Sequence, residues 1–181
     1  MDKDIARILV RRERIAERVA EMAGEIARVY RDSNEGLTLV AILSGSLIFL
    51  ADLIRCLPIR MKIGLVTVSS YPGATTTSRG ANVLTDLRGD VRGRHVLVVD
   101  DILDTGNTLR SVLERLRAQQ PASLRTCVLL RKPSKTPPDV RADFVGFDID
   151  DVFVIGYGLD YNDHYRNYPH LGVLRPELYA R

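Results

Sequence analysis

The sequence predicts an α/β fold: a mostly parallel central sheet flanked by helices, with a small β-rich hood towards the C-terminus. Three observations carry that prediction. Residues 37–43 and 95–99 are continuous apolar runs, which as strands need cover on both faces. Helical periodicity stands beside them, at Ile15, Val19, Met22, Ile26 and Val29 and again at Leu109, Val112, Leu113 and Leu116. Strands that alternate with helices pair in parallel, with the helices covering the sheet.

Element by element, residues 12–31 form an amphipathic helix on an otherwise charged segment, and 37–43 a buried strand. Ser44-Gly45-Ser46 breaks that strand, and 47–57 is helical until Pro58. Residues 63–68 are a second strand. The stretch 71–80 is small and polar with nothing to bury, and is expected to be a mobile loop. The clearest strand, 95–99, ends in Asp100-Asp101, and a helix follows it. Residues 123–130 give another strand, closed by Lys132-Pro133. From Phe144 to Leu159 the chain is short-stranded and aromatic with no helical pattern, as expected of a subdomain over one sheet edge. The whole is one domain of 181 residues, with a core over about 37–142 and a hood over about 143–181 plus the N-terminal segment.

Composition bounds the function. Apolar residues make up 45% and charged residues 27%, a globular balance. The longest apolar stretch, 37–54, is broken by Ser44, Gly45, Ser46 and Asp52, so no membrane span is expected. Met1-Asp2-Lys3-Asp4 lacks the basic and apolar regions of a secretory signal. Cys56 and Cys127 form no CxxC pair, and a reducing cytoplasm is the expected location. The net charge of +3, spread along the chain, suits a polyanionic small substrate and gives little support to nucleic-acid binding.

The chemistry is written most densely in Val98-Val99-Asp100-Asp101-Ile102-Leu103-Asp104-Thr105-Gly106-Asn107-Thr108-Leu109. This is a buried strand, carboxylates, a tight Thr-Gly turn and a helix start. Ligands of open α/β sheets bind at that end of the strands. Unpaired N–H groups of the turn, with the Thr105 and Thr108 hydroxyls, make a site for a phosphate dianion. Three carboxylates within five residues exceed what a helix cap requires. They fit a ligand that also brings sugar hydroxyls, a divalent cation or developing positive charge. Leu43-Ser44-Gly45-Ser46 is a second strand–turn–helix junction, whose small residues allow backbone N–H groups to face another anion. Neither GxxxxGK[ST] nor GxGxxG is present, which leaves a P-loop or Rossmann reading with little support.

The 98–109 stretch resembles the phosphoribosyl diphosphate (PRPP) signature of the type I phosphoribosyltransferases. Ser69-Ser70-Tyr71, Leu130-Arg131-Lys132-Pro133, Asp143-Phe144-Val145-Gly146-Phe147, the run from Val152 to Asn162, and Arg166 narrow the resemblance to the hypoxanthine(-guanine) branch. The resemblance covers about 37–174. It implies transfer of the phosphoribosyl group from PRPP to N9 of hypoxanthine or guanine, giving IMP or GMP and pyrophosphate, with Mg²⁺ as cofactor. Two alternatives are a xanthine-preferring transferase and a PRPP-sensing regulator that binds nucleic acid. The partners implied are PRPP and a 6-oxopurine, with no nucleic acid and no membrane, in a homodimer or homotetramer.

The resemblance also implies roles. Asp104, Thr105, Gly106, Asn107 and Thr108 would cradle the 5′-phosphate, with Asp104 as the general acid/base at purine N7. Asp100 and Asp101 would hold the ribose hydroxyls, partly through Mg²⁺. Many relatives have Glu-Asp at this pair, so Asp100 reaches one methylene less. Leu43, Ser44 and Gly45, whose first peptide bond can be cis in the family, would bind pyrophosphate with Arg166. Ser44 stands where several relatives carry Lys or Arg. Phe153 would stack on the purine, the Val154 backbone would read its edge, and Lys132 would donate to O6. Asp160 would hold a second Mg²⁺ and contact the 2-amino group of guanine. Ser70 and Tyr71 would open a lid.

Overall fold

The computed structural model describes residues 1–31, 33, 36–69, 82–83 and 90–179. In chain order these form β1 (Ile5–Val10), α1 (Arg12–Tyr30), β2 (Leu37–Leu43), α2 (Leu47–Cys56), β3 (Met61–Ser69), β4 (Asn82–Val83), β5 (His95–Leu103), α3 (Asn107–Ala118), β6 (Ser123–Arg131), β7 (Phe144–Asp148), β8 (Val154–Ile155) and β9 (Leu171–Leu174). The large sheet has the order β4-β3-β2-β5-β6-β7, parallel from β3 to β7, with β4 antiparallel at its edge. A small antiparallel sheet, β1-β9-β8, forms the hood.

The apolar runs are divided between the faces by strand alternation. Leu39, Ala41, Leu97, Val99, Cys127 and Leu129 point to the side covered by α1 and α2. Val40, Ile42, Val96, Val98 and Val128 point to the side covered by α3 through Leu109, Val112, Leu113 and Leu116. Both faces are dry, which is why these strands show no polar alternation. The hood has a core of its own in Ile5, Ile155, Tyr168 and Leu174. None of the described helices is long and apolar enough to cross a membrane.

Three expectations are corrected, and one is made specific. The strand from His95 continues through the acidic pair to Leu103, because ladder pairing with β6 carries on at Asp100 opposite Val128 and Ile102 opposite Leu130. The helix stripe turns away before Val29, which is exposed, and Tyr30 is buried in its place. Residues 144–148 belong to the large sheet, since β7 finds a free edge on β6, so the hood starts later than 143. The N-terminal contribution to the hood is a strand, β1, which closes on β9 while α1 packs on the large sheet's helix layer.

Candidate active site

β2 and β5 are neighbours in the sheet, but the chain leaves them towards opposite faces, into α2 on one side and α3 on the other. A crevice opens where strand order reverses in this way. Both turns expected from the sequence to face an anion meet there. A cavity of ≈ 270 Å³ is lined by Leu43, Gly45, Asp100, Asp101 and residues 104–108.

Gly106, with φ of +76°, is the N-cap of α3. A side chain there would be strained, and its Cβ would stand 2.8 Å from Val140. The turn aims the α3 N-terminus into the cavity, and among the described residues no side chain caps it, which leaves its first N–H groups for an anion. Across the crevice the Leu43–Ser44 peptide bond is cis. Gly45 lies so close to the acidic pair that a Cβ would fall 1.7 Å from Asp101 Oδ2. Ser46, fully buried, donates its hydroxyl to the Ile42 carbonyl and fixes the turn.

Asp100 is 6% exposed. Its Oδ1 accepts the Asp101 N–H at 3.0 Å, and Asp101 Oδ1 accepts the Ile102 N–H at 2.9 Å. Burial, with the Asp101 charge second, holds the Asp100 carboxyl well above its ordinary range; burial also raises Asp101. The pair therefore bears a charge it is poorly solvated to carry.

A second cavity, ≈ 540 Å³, adjoins the first and shares Asp101, Ile102 and Asp104 with it. Lys132, Lys135, Asp151, Val152, Phe153, Val154, Leu159, Asp160 and Tyr179 complete its wall. Lys132 is 7% exposed, so the lysine after β6 is a buried cation and not a solvated surface one. Its Nζ donates to Asp151 Oδ1 at 3.0 Å and lies 3.2 Å from Asp104 Oδ2. Lys135 Nζ sits 3.4 Å from Asp104 Oδ1 and 3.4 Å from Asp151 Oδ1. Asp104 Oδ1 is buried, and at that distance from Lys135 it accepts no hydrogen bond from the described residues. The Lys132 hydrogen bond keeps Asp151 below the usual carboxylate range, and the Asp104 charge raises Lys135.

Phe153 stands between two tyrosines: Tyr179 stacks on it with centroids 4.8 Å apart at 27°, and Tyr161 meets it at 5.5 Å and 89°. Asp160 and Arg166, expected at a metal and at pyrophosphate, are brought together as an ion pair at 2.8 Å. Arg166 also donates to the Gly158 carbonyl at 2.9 Å, and its charge reaches Asp101, whose carboxyl it partly lowers. Ser70 and Tyr71, with the loop 71–80, lie outside the described residues.

Comparison with known proteins then decides the family. A model of the phosphoribosyl transferase domain matches residues 8–162. The chain belongs to the phosphoribosyltransferase family. It is 42% identical to a hypoxanthine-guanine phosphoribosyltransferase of Mycobacterium avium, over 98% of this chain and 90% of that one. A crystal structure of a hypoxanthine phosphoribosyltransferase from Staphylococcus aureus superposes with a TM-score of 0.93 at 37% identity, covering 100% of this chain and 97% of that one. The ternary substrates complex of a mutant hypoxanthine phosphoribosyltransferase from Trypanosoma cruzi gives 0.91 at 39%, with 98% and 99% covered.

Of the residues read from the sequence as phosphoribosyltransferase groups, Asp100, Asp101, Asp104–Thr108, Leu43 and Gly45 line the first cavity, and Lys132, Phe153, Val154 and Asp160 the second. Lys135, Asp151, Ile102 and Tyr179 were not anticipated. Lys135 had a signal: it is one of only four lysines and lies three residues after Lys132. The turn that folds it back carries the Lys135 N–H to the Lys132 carbonyl at 3.0 Å.

Proposed function

We propose that this phosphoribosyltransferase moves the 5-phosphoribosyl group from PRPP to N9 of hypoxanthine or guanine, releasing pyrophosphate and forming IMP or GMP, a purine-salvage reaction. The observation that carries the reading is the junction of the two cavities at Asp104. One cavity has phosphate-binding turns, the other an aromatic ring and a buried lysine, and a base and a sugar phosphate bound in them meet beside that carboxylate.

In this reading the α3 N-terminus and the Thr105 and Thr108 hydroxyls hold the 5′-phosphate, while Leu43, Ser44, Gly45 and Arg166 face pyrophosphate. The purine stacks on Phe153. Its O6 accepts from Lys132 and the Val154 backbone reads its edge, so adenine, with an amino group at position 6, is rejected. N9 forms a bond to C1′ as the C1′–pyrophosphate bond breaks, and Asp104 accepts the proton released at N7. Lys132 Nζ at 3.2 Å and Lys135 Nζ at 3.4 Å set two cations beside that carboxylate. When Lys132 turns to O6, one of those counter-charges leaves.

The Asp100–Asp101 pair, one carboxylate buried and the other half-buried, suits Mg²⁺: hard oxygen donors with too little solvation for two negative charges, lining the first cavity. Mg²⁺ bound there supplies charge neutralisation of the leaving pyrophosphate. Among the described residues no cluster of three or more His, Cys, Asp or Glu could hold a metal ion. Asp160, the second site, is engaged by Arg166, so a metal role there requires that ion pair to open.

Exposed Leu47, Ile63 and Leu65 offer apolar surface for the dimer or tetramer expected of the chain. The unpaired cysteines fit a reducing compartment. Turnover with PRPP and Mg²⁺, with hypoxanthine, guanine, xanthine and adenine in parallel, tests the reading. IMP and GMP form and adenine is ignored; faster xanthine turnover replaces the substrate assignment, and no nucleotide from any base refutes it. Asp104→Asn retains PRPP binding and loses turnover, and an unaltered rate removes Asp104 from the mechanism.

A further inference from the structure

The second cavity has an aromatic wall two rings deep. Tyr179 lies against one face of Phe153, stacked at 4.8 Å, and both rings line the cavity. Nothing in the chain order brings them together, since 25 residues lie between positions 153 and 179. The turn Pro176–Leu178 does it, and that turn is held on three sides. The Arg175 N–H donates to the Asp4 carbonyl at 3.0 Å. The Arg175 guanidinium donates to the Lys3 carbonyl at 2.8 Å. The Tyr161 hydroxyl donates to the Leu178 carbonyl at 2.9 Å. Pro176, at the first position of the turn, fixes its φ.

We propose that Tyr179 is a positioning residue for the purine: its ring backs Phe153, so that Phe153 presents its opposite face to the base at a set angle. The proposal rests on the reading that Phe153 stacks on the purine. Phe153 is only half-buried, and a half-buried ring without a plate behind it samples several orientations. With Tyr179 on one face and Tyr161 at 89° to it, that freedom is removed before the base arrives. The face left for the base is then flat and apolar, in a cavity that Ile102 and Asp104 also line. Offset stacking of this kind strengthens aromatic contact beyond the area it buries. The effect acts on the base alone, because the phosphate turns lie in the other cavity.

Steady-state kinetics of the full chain test this, with hypoxanthine varied at saturating PRPP and Mg²⁺, then PRPP varied at saturating hypoxanthine. In Tyr179→Ala the hypoxanthine KM rises about three- to ten-fold, while kcat and the PRPP KM stay within about two-fold. Tyr179→Phe, which keeps the ring, restores the hypoxanthine KM. Phe153→Ala is measured beside them. A raised KM in Phe153→Ala with an unchanged KM in Tyr179→Ala overturns the positioning role and leaves the stacking reading standing. A KM that falls in Tyr179→Ala overturns it as well, because Tyr179 then occupies the place of the base. An unchanged KM in Phe153→Ala removes the stacking reading, and the role of Tyr179 with it.

Discussion

Gly45→Ala adds one methyl group to the turn after β2, at a position whose backbone is not left-handed, so the main chain accepts alanine without strain. The obstacle is the facing carboxylate. A Cβ on Gly45 would stand 1.7 Å from Asp101 Oδ2 and 2.6 Å from its Cγ. Ordinary van der Waals contact is about 3.4 Å, so the carboxylate has to retreat by about 1.7 Å or the turn has to lift away by as much. Either movement separates the groups proposed to hold ribose and pyrophosphate. A misplacement of about 1 Å costs on the order of 10² in rate, which corresponds to about 2.7 kcal/mol of transition-state stabilisation. The expected result is a fall of at least about 10² in kcat/KM for PRPP, with far-UV circular dichroism unchanged. Asp101→Ala removes the obstructing atoms, so the double variant is no worse than Asp101→Ala alone. Wild-type PRPP kinetics in Gly45→Ala would refute the argument that this glycine exists to admit Asp101. Additive losses in the double variant would place its effect elsewhere.

Three further outcomes follow from the same geometry. Lys132→Met removes a buried charged donor, so kcat/KM for hypoxanthine drops by about 10- to 100-fold and discrimination against adenine weakens; unchanged base preference counts against the O6 contact. Asp100→Asn removes a buried acid whose folded-state pKa is raised. Such a group contributes stability at low pH that is lost as pH rises through the folded value. The variant is thus more stable than the parent at neutral pH, by a margin that narrows towards the ordinary Asp value of about 4, as thermal melts across pH would show, while turnover is lost. A margin independent of pH would mean that Asp100 is not the titrating group. Cys56 is exposed and Cys127 is buried, its thiol pushed far up by burial, so a thiol reagent labels one site in the native protein and two after unfolding. Rapid native labelling at Cys127 would contradict the packing of β6.

The two strand–helix turns proposed to bind phosphate were legible because they depend on local physics. A strand that ends in Thr-Gly or Ser-Gly-Ser before a helix exposes N–H groups whatever surrounds it. The parallel sheet was legible because strands dry on both faces cannot alternate. Phe153 and Lys132 needed the motif resemblance, since an aromatic near a strand or a lysine after one has no signature of its own. Lys135, Asp151 and Tyr179 escaped because their positions follow from a returning turn and from the C-terminal segment closing over the hood.

Fold class, the two strand–helix turns and the carboxylates beside them were readable from the chain alone, because all are properties of contiguous residues. Only the tertiary structure decided that β2 and β5 are neighbours whose helices part to opposite faces, which puts Gly45 against Asp101. It also decided that Asp104 is held between two lysines, that Asp160 answers Arg166, and that Tyr179 backs Phe153. Those pairings join residues remote in the chain, and strand order and register, not any local preference, set the distances between them.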